Sequence, residues 1–168
     1  MNQTLIIIDV QNGFPTVNGN DQPPIRKFDP DFHDPQLAKS IRRLVAANKR
    51  AGNPVLLVEY TGEGPTIPPI KKMLVGYPHQ SVAKKSSNGG GREVVKALKK
   101  LGWPMGKMVV CGIYADACVE ETVEGITELL PKANIIIPIN AVMSGSYHLN
   151  KGLSGLSKMK NVRIRMAS

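Results

Sequence analysis

Four short apolar runs constrain this chain more than any other feature: Thr4 to Val10, Pro54 to Glu59, Lys107 to Gly112 and Asn134 to Ile139. Each is rich in Ile, Val or Leu without polar alternation, as expected of strands buried on both faces in a parallel sheet. Between them the apolar spacing becomes helical. Leu37, Ile41, Leu44 and Val45 follow Asp34-Pro35, a cap followed by proline, and Gly52 is placed to end that helix. Val94, Val95, Leu98 and Leu101 predict a helix over 91–101, and Val119, Thr122, Val123, Ile126 and Leu130 another over 118–130. A last helix over 147–159 carries Leu149, Leu153, Leu156 and Met159, weakened by Gly152 and Gly155. Ser81-Val82-Ala83-Lys84 reads as a weaker strand ending at Lys84. Val162 to Met166 alternates apolar and basic residues, as an edge strand with one solvated face does. Residues 16–35 and 61–80 are long Gly- and Pro-rich loops, the second with room for a short turn at 69–74.

Strand and helix thus alternate throughout, without repeat or linker. The expectation is one α/β domain over 1–168: an open, mostly parallel sheet covered on both faces. Such sheets bind ligands beyond the carboxyl ends of their strands.

Composition narrows the function. The run Leu5 to Val10 is too short to span a membrane, and Met1-Asn2-Gln3-Thr4 lacks the basic start of a secretory signal. The two cysteines, Cys111 and Cys118, read as reduced thiols, so a cytoplasmic location is expected. The net charge of +9 is uneven: residues 1–70 carry seven acidic and seven basic side chains, residues 71–168 six acidic and fifteen basic. The basic residues are scattered, with almost no interleaved aromatics. That argues for a solvated face and against nucleic acid as the partner.

The chemistry concentrates at Gly112-Ile113-Tyr114-Ala115-Asp116-Ala117-Cys118, where a strand ends and a helix begins. A cysteine at a helix start meets unpaired backbone N–H groups and the positive helix end, both of which favour the thiolate. Cys118 is therefore the candidate nucleophile, and the Ala117 and Cys118 N–H groups could line an oxyanion hole. The bland alternative is a small core residue, which is the expectation for Cys111 in mid-strand. Asp9 closes the first apolar run, where an ionised carboxylate needs a partner. It either accepts backbone N–H bonds from the next loop or takes the Cys118 proton. Lys84, ending a strand at the same sheet end, is the candidate cation; Lys85 is its alternative, and the residues alone do not rank the two. Other signals are weaker. Ser87 to Arg92 is glycine-rich but lacks the Gly-Lys-Ser/Thr of a phosphate loop. His33, His79 and His148 have no metal-ligand spacing and read as surface or pocket rim. Glu59 is a lone carboxylate after the second strand.

Three motifs, Leu5-Ile6-Ile7-Ile8-Asp9-Val10-Gln11-Asn12-Gly13-Phe14, Val82-Ala83-Lys84 with Asn88, and Gly112 to Thr122, resemble those of the isochorismatase-like cysteine hydrolases in order and spacing. That family includes nicotinamidases and N-carbamoylsarcosine amidohydrolases. The resemblance implies a six-stranded parallel sheet in three layers and a catalytic triad of Asp9, Lys84 and Cys118. It also implies a cis peptide at Ile113-Tyr114, oligomers, and hydrolysis of a small amide or other C–N substrate through a thioester. Phe14, Asn88 and Tyr114 are the candidate pocket walls. Departures shape the expectation. Where nicotinamidases carry an Asp-x-His metal motif, this chain has Glu59-Tyr60-Thr61, so neither metal nor cofactor is expected. Gly89-Gly90 replaces a small residue and phenylalanine, leaving that pocket wall open. Isochorismatases proper cleave a vinyl ether without a cysteine nucleophile, which Cys118 argues against. An ester or other acyl substrate, or a ligand-binding member without catalysis, stays as the alternative.

Overall fold

The computed structural model describes residues 2–13, 35–144 and 149–166. Phe14, His33, Asp34, Tyr147 and His148, and with them the expected loop and helix cap before Pro35, lie outside the described residues.

β1 (Thr4–Ile8) is the centre of the molecule, and all five of its residues are buried. It pairs in parallel with β2 (Val55–Tyr60) on one side and with β4 (Lys107–Ile113) on the other. β3 (Gln80–Lys85) lies outside β2, and β5 (Asn134–Pro138) then β7 (Val162–Arg165) lie outside β4. Six strands therefore run in the order β3-β2-β1-β4-β5-β7, and every pairing is parallel. A seventh, the two-residue β6 (Val142–Met143), adds to the end of β4 after a 3-10 turn at Ile139–Ala141. It is too short for periodicity to reveal.

The connections are helical. α1 (Pro35–Arg50) follows β1 and packs against α2 (Pro68–Leu74), the short turn expected in the second loop. α3 (Gly91–Leu101) ends at Gly102, whose φ of 64° lets the last turn close on Leu98 and Lys99. α4 (Cys118–Leu129) buries Val119, Thr122, Val123 and Ile126, and it packs against both α3 and α5 (Leu149–Lys158). Gly91 brings α3 so close to α4 that a Cβ there would stand 2.5 Å from the Gly125 backbone. β7 is an edge strand and carries the expected basic residues, Arg163 and Arg165; β3, the other edge, carries Lys84. Among the described residues, no helix is long and apolar enough to cross a membrane.

From β1 the chain winds outward to β2 and β3, then returns past β1 to β4 and winds the other way. The reversal lies between β1 and β4, and in open α/β sheets ligands bind beyond the carboxyl ends of the strands at such a point. Asp9 directly follows β1 and Cys118 follows β4 by a four-residue loop. The fold thus brings residues 109 apart in sequence to one place.

Candidate active site

Regular strand alternation fails at Asp9. Its φ is 54°, the one positive value among the described non-glycine residues, and its side chain is fully buried. An L residue enters that region only where its surroundings hold it there. Opposite, Gly112 (φ 133°) abuts β1 so closely that a Cβ would sit 2.1 Å from the Ile8 carbonyl oxygen. Only glycine lets the two strand ends meet there.

The carboxylate is met by Lys85. Its Nζ lies 2.7 Å from Asp9 Oδ2, and both side chains are essentially inaccessible. The same ammonium donates to the Ser87 carbonyl at 2.9 Å and the Asn88 carbonyl at 2.8 Å, and stands 4.7 Å from the centre of the Tyr60 ring. An ammonium has three N–H donors, and all three are engaged. Lys84, the lysine expected here, is on the other face. Its Nζ pairs with Glu59 Oε2 at 3.2 Å, and its side chain is 64% exposed. The reason is register. β3 runs one residue beyond Lys84, so Ala83 and Lys85 are buried on one face while Lys84 alternates outward.

Cys118 opens α4 with its side chain buried beside Asp9. Its thiol also points at Asn88 Oδ1, 3.8 Å away, and Asn88 Nδ2 donates to Glu121 Oε1 at 3.1 Å. The helix start does not yield a resting thiolate. Burial and the neighbouring Asp9 carboxylate push the Cys118 thiol up to about 11; the Lys85 charge and the Tyr114 backbone lower it only in part. For Asp9, burial raises the carboxyl above its ordinary value, against the opposing pull of Lys85, Cys118 and the Tyr60 backbone. Beyond the ion pair with Lys85, neither carboxylate oxygen is tied up by a hydrogen bond of standard geometry, so Asp9 keeps lone pairs for a proton.

The remaining expectations divide. The Ile113-Tyr114 peptide is cis, and Tyr114 is half-buried at the site with its phenol pushed up to about 12 by burial, Cys118, Asp116 and Glu63. Of the expected oxyanion pair, the Ala117 N–H instead donates to the Tyr114 carbonyl at 3.2 Å, as does Val119 at 2.9 Å. Cys118 N–H remains in the first helical turn, where no intrahelical acceptor exists. Cys111 is buried in β4, its thiol raised by desolvation and directed at the Ile6 carbonyl, as a core residue would be. His79 stands edge-on to Tyr77, at the opposite end of β3 from Lys85.

Two residues had no functional reading in the sequence. Gln11 is fully buried; its amide donates to the carbonyls of Tyr60 and Gly64 and accepts from the Tyr60 N–H, tying the end of β1 to the loop after β2. An amide three residues past the strand was its only signal in the sequence. Thr122, counted with the apolar face of α4, bonds instead to the loop after Lys85.

The place of the nicotinamidase metal motif does not suit a metal. Glu59 Oε1 accepts both the N–H and the hydroxyl of Thr66, at 2.8 and 2.9 Å, and Oε2 is held by Lys84. No imidazole follows it, and among the described residues no three His, Cys, Asp or Glu side chains gather.

The architecture is an open parallel α/β sheet that gathers a cysteine, a carboxylate and a lysine at its switch point. Residues 3–142 match the isochorismatase domain, and the chain belongs to the isochorismatase family. Comparison with curated proteins finds no match. Among solved structures, the MAR1 ribonuclease from Caenorhabditis elegans is similar over 97% of this chain and 76% of its own, at 20% identity and a TM-score of 0.74. A nicotinamidase from Staphylococcus aureus is similar over 98% of this chain and all of its own, at 14% identity and a TM-score of 0.72. The N-carbamoylsarcosine amidase from Thermoplasma acidophilum covers 99% and 96%, at 18% identity and a TM-score of 0.68. These likenesses establish the fold.

Proposed function

We propose that this protein hydrolyses a small amide or other C–N substrate through a thioester on Cys118, without a metal, with Asp9 as base and Lys85 as the supporting cation. The observation that carries the reading is the fully buried Asp9 carboxylate, ion-paired to Lys85 and beside the Cys118 thiol. The nicotinamidase and N-carbamoylsarcosine amidase neighbours are consistent with it.

The reaction starts from Asp9⁻, paired with the Lys85 ammonium, beside the Cys118 thiol that burial and this carboxylate raise. As Sγ attacks the substrate carbonyl carbon, the thiol proton passes to Asp9, so a free thiolate never has to accumulate. The carbonyl oxygen takes up the negative charge near the Cys118 N–H. When the carbonyl re-forms, the C–N bond breaks and the Asp9 proton leaves with the amine or ammonia. A water then attacks the thioester and gives a proton to Asp9, which passes it to the departing sulfur. Lys85 keeps Asp9 ionised between these transfers; with its donors engaged, it acts by charge rather than by contact with substrate.

The test is site-resolved labelling by iodoacetamide near neutral pH, with Cys111 as the internal control. Cys118 is expected to label selectively, and far more slowly in D9N and K85M. Equal labelling in all three overturns the activated-thiol mechanism. A screen of small amides and ureido compounds for ammonia release, with mass detection of an acyl adduct on Cys118, identifies the substrate. Turnover of esters alone would replace the C–N reading with acyl-ester hydrolysis.

A further inference from the structure

We propose that Thr122 is a positioning residue whose hydroxyl fixes the Ser87–Gly90 loop and, through that loop, holds Lys85 against Asp9. The inference rests on the reading of Asp9, Lys85 and Cys118 as the working group.

Thr122 lies four residues after Cys118 on α4, so the two share a helix face one turn apart. It is fully buried. A helical threonine ordinarily turns its hydroxyl to solvent or to its own helix. Here Oγ1 accepts the Gly90 N–H at 3.0 Å and donates to the Asn88 carbonyl at 3.4 Å. That same Asn88 carbonyl receives Lys85 Nζ, whose other two bonds go to Ser87 and Asp9. The loop and the lysine also pack as a unit: a Cβ on Gly90 would stand 2.8 Å from Lys85 Cδ and 3.4 Å from Thr122 Oγ1. One helix therefore sets both the nucleophile at its first residue and the lysine cradle a turn later. A buried ion pair is sensitive to small errors of placement. Valine would fill the space of Thr122 but leave the buried Gly90 N–H without its acceptor.

The experiment is the pH profile of Cys118 alkylation by iodoacetamide, read by peptide mass in wild type, T122V, T122A, T122S and K85M. Melting by circular dichroism checks the fold of each. Asp9 is faced by Lys85 from β3, Cys118 from α4 and the Tyr60 backbone from β2, and the Lys85 ammonium by the Tyr60 ring. Release of Lys85 removes the cation among them. The acid limb of the profile is then expected to move up by about one pH unit in T122V and T122A, the low end for loss of a neighbouring opposite charge. T122S, which keeps the hydroxyl, returns to the wild-type curve. A purely structural threonine would lower melting temperature without moving the limb. If K85M shifts the limb while folded T122A keeps the wild-type curve, this inference is overturned and the proposed function stands. If K85M leaves the limb in place, the Asp9–Lys85 reading fails and this inference with it.

Discussion

Two successive residues of β3 make two opposite ion pairs. Lys85 meets Asp9 out of water; Lys84, itself exposed, reaches down to the buried Glu59. The carboxylates differ in kind. Burial would raise Glu59, but the Thr66 N–H and hydroxyl and the Lys84 charge more than offset it and hold the carboxyl below its ordinary value. Glu59 is therefore a committed anion that pins the loop after β2. At Asp9 burial outweighs Lys85, Cys118 and the weaker pull of the Tyr60 backbone, and raises the carboxyl. A carboxylate satisfied by fixed donors holds structure; one balanced between desolvation and a single cation is ready to take a proton.

The contrast is broken most severely at Lys85. K85M leaves Asp9 buried without its cation and is expected to cost about 3–5 kcal/mol, measured by urea unfolding. It should also abolish selective labelling of Cys118. A loss no larger than that of K84M would erase the distinction between the two pairs.

Gly90→Ala tests the packing around the buried pair without removing a charge. The new Cβ presses on the Lys85 stem at 2.8 Å, with Val58 and Thr122 at 3.4 Å. Overpacking of this kind costs about 1–3 kcal/mol, and slower Cys118 labelling should accompany it. Wild-type stability with wild-type labelling would show that the stem yields freely.

K84M should have the smallest effect, about 0–1 kcal/mol at low salt and less at high salt, because the Lys84 side chain is mostly in water and the buried Glu59 keeps its two Thr66 donors. Its pH dependence carries the sign. Glu59 is held below 4.5, so its contribution is complete above that pH and is lost as pH falls through its folded value. The difference between wild type and K84M should therefore vanish on acidification. For Asp9, raised from 3.8, the sign reverses: the contribution present below 3.8 is lost as pH rises through the folded value. A K84M difference that grew towards acid would contradict the assignment of Glu59.

The alternation of apolar runs and helical spacing was enough to read the layers, because burial on both faces leaves parallel strands no polar positions. Asp9 stands out as a carboxylate closing an apolar run, and Cys118 as a thiol where a helix begins after a strand and a short loop. Lys85 does not stand out in the sequence, because β3 is an edge strand with little apolar pattern to mark where it ends. The buried Ala83 and Lys85 on alternate positions were the available signal. Thr122 was hidden more thoroughly. Its size and β-branching suit a helix's buried face, and nothing local shows a hydroxyl bonding to a loop 32 residues away.

What the sequence by itself determined is what periodicity and chain order can encode: a parallel α/β sheet, its carboxyl end, and the kinds of residue gathered there. The tertiary structure decided which lysine faces Asp9, and set the burial and the carboxylate neighbour that raise the Cys118 thiol. It also showed that the expected Ala117 donor is spent on Tyr114. Each depends on side-chain facing, desolvation or a bond between distant segments, and those quantities arise only when the strands and helices are assembled.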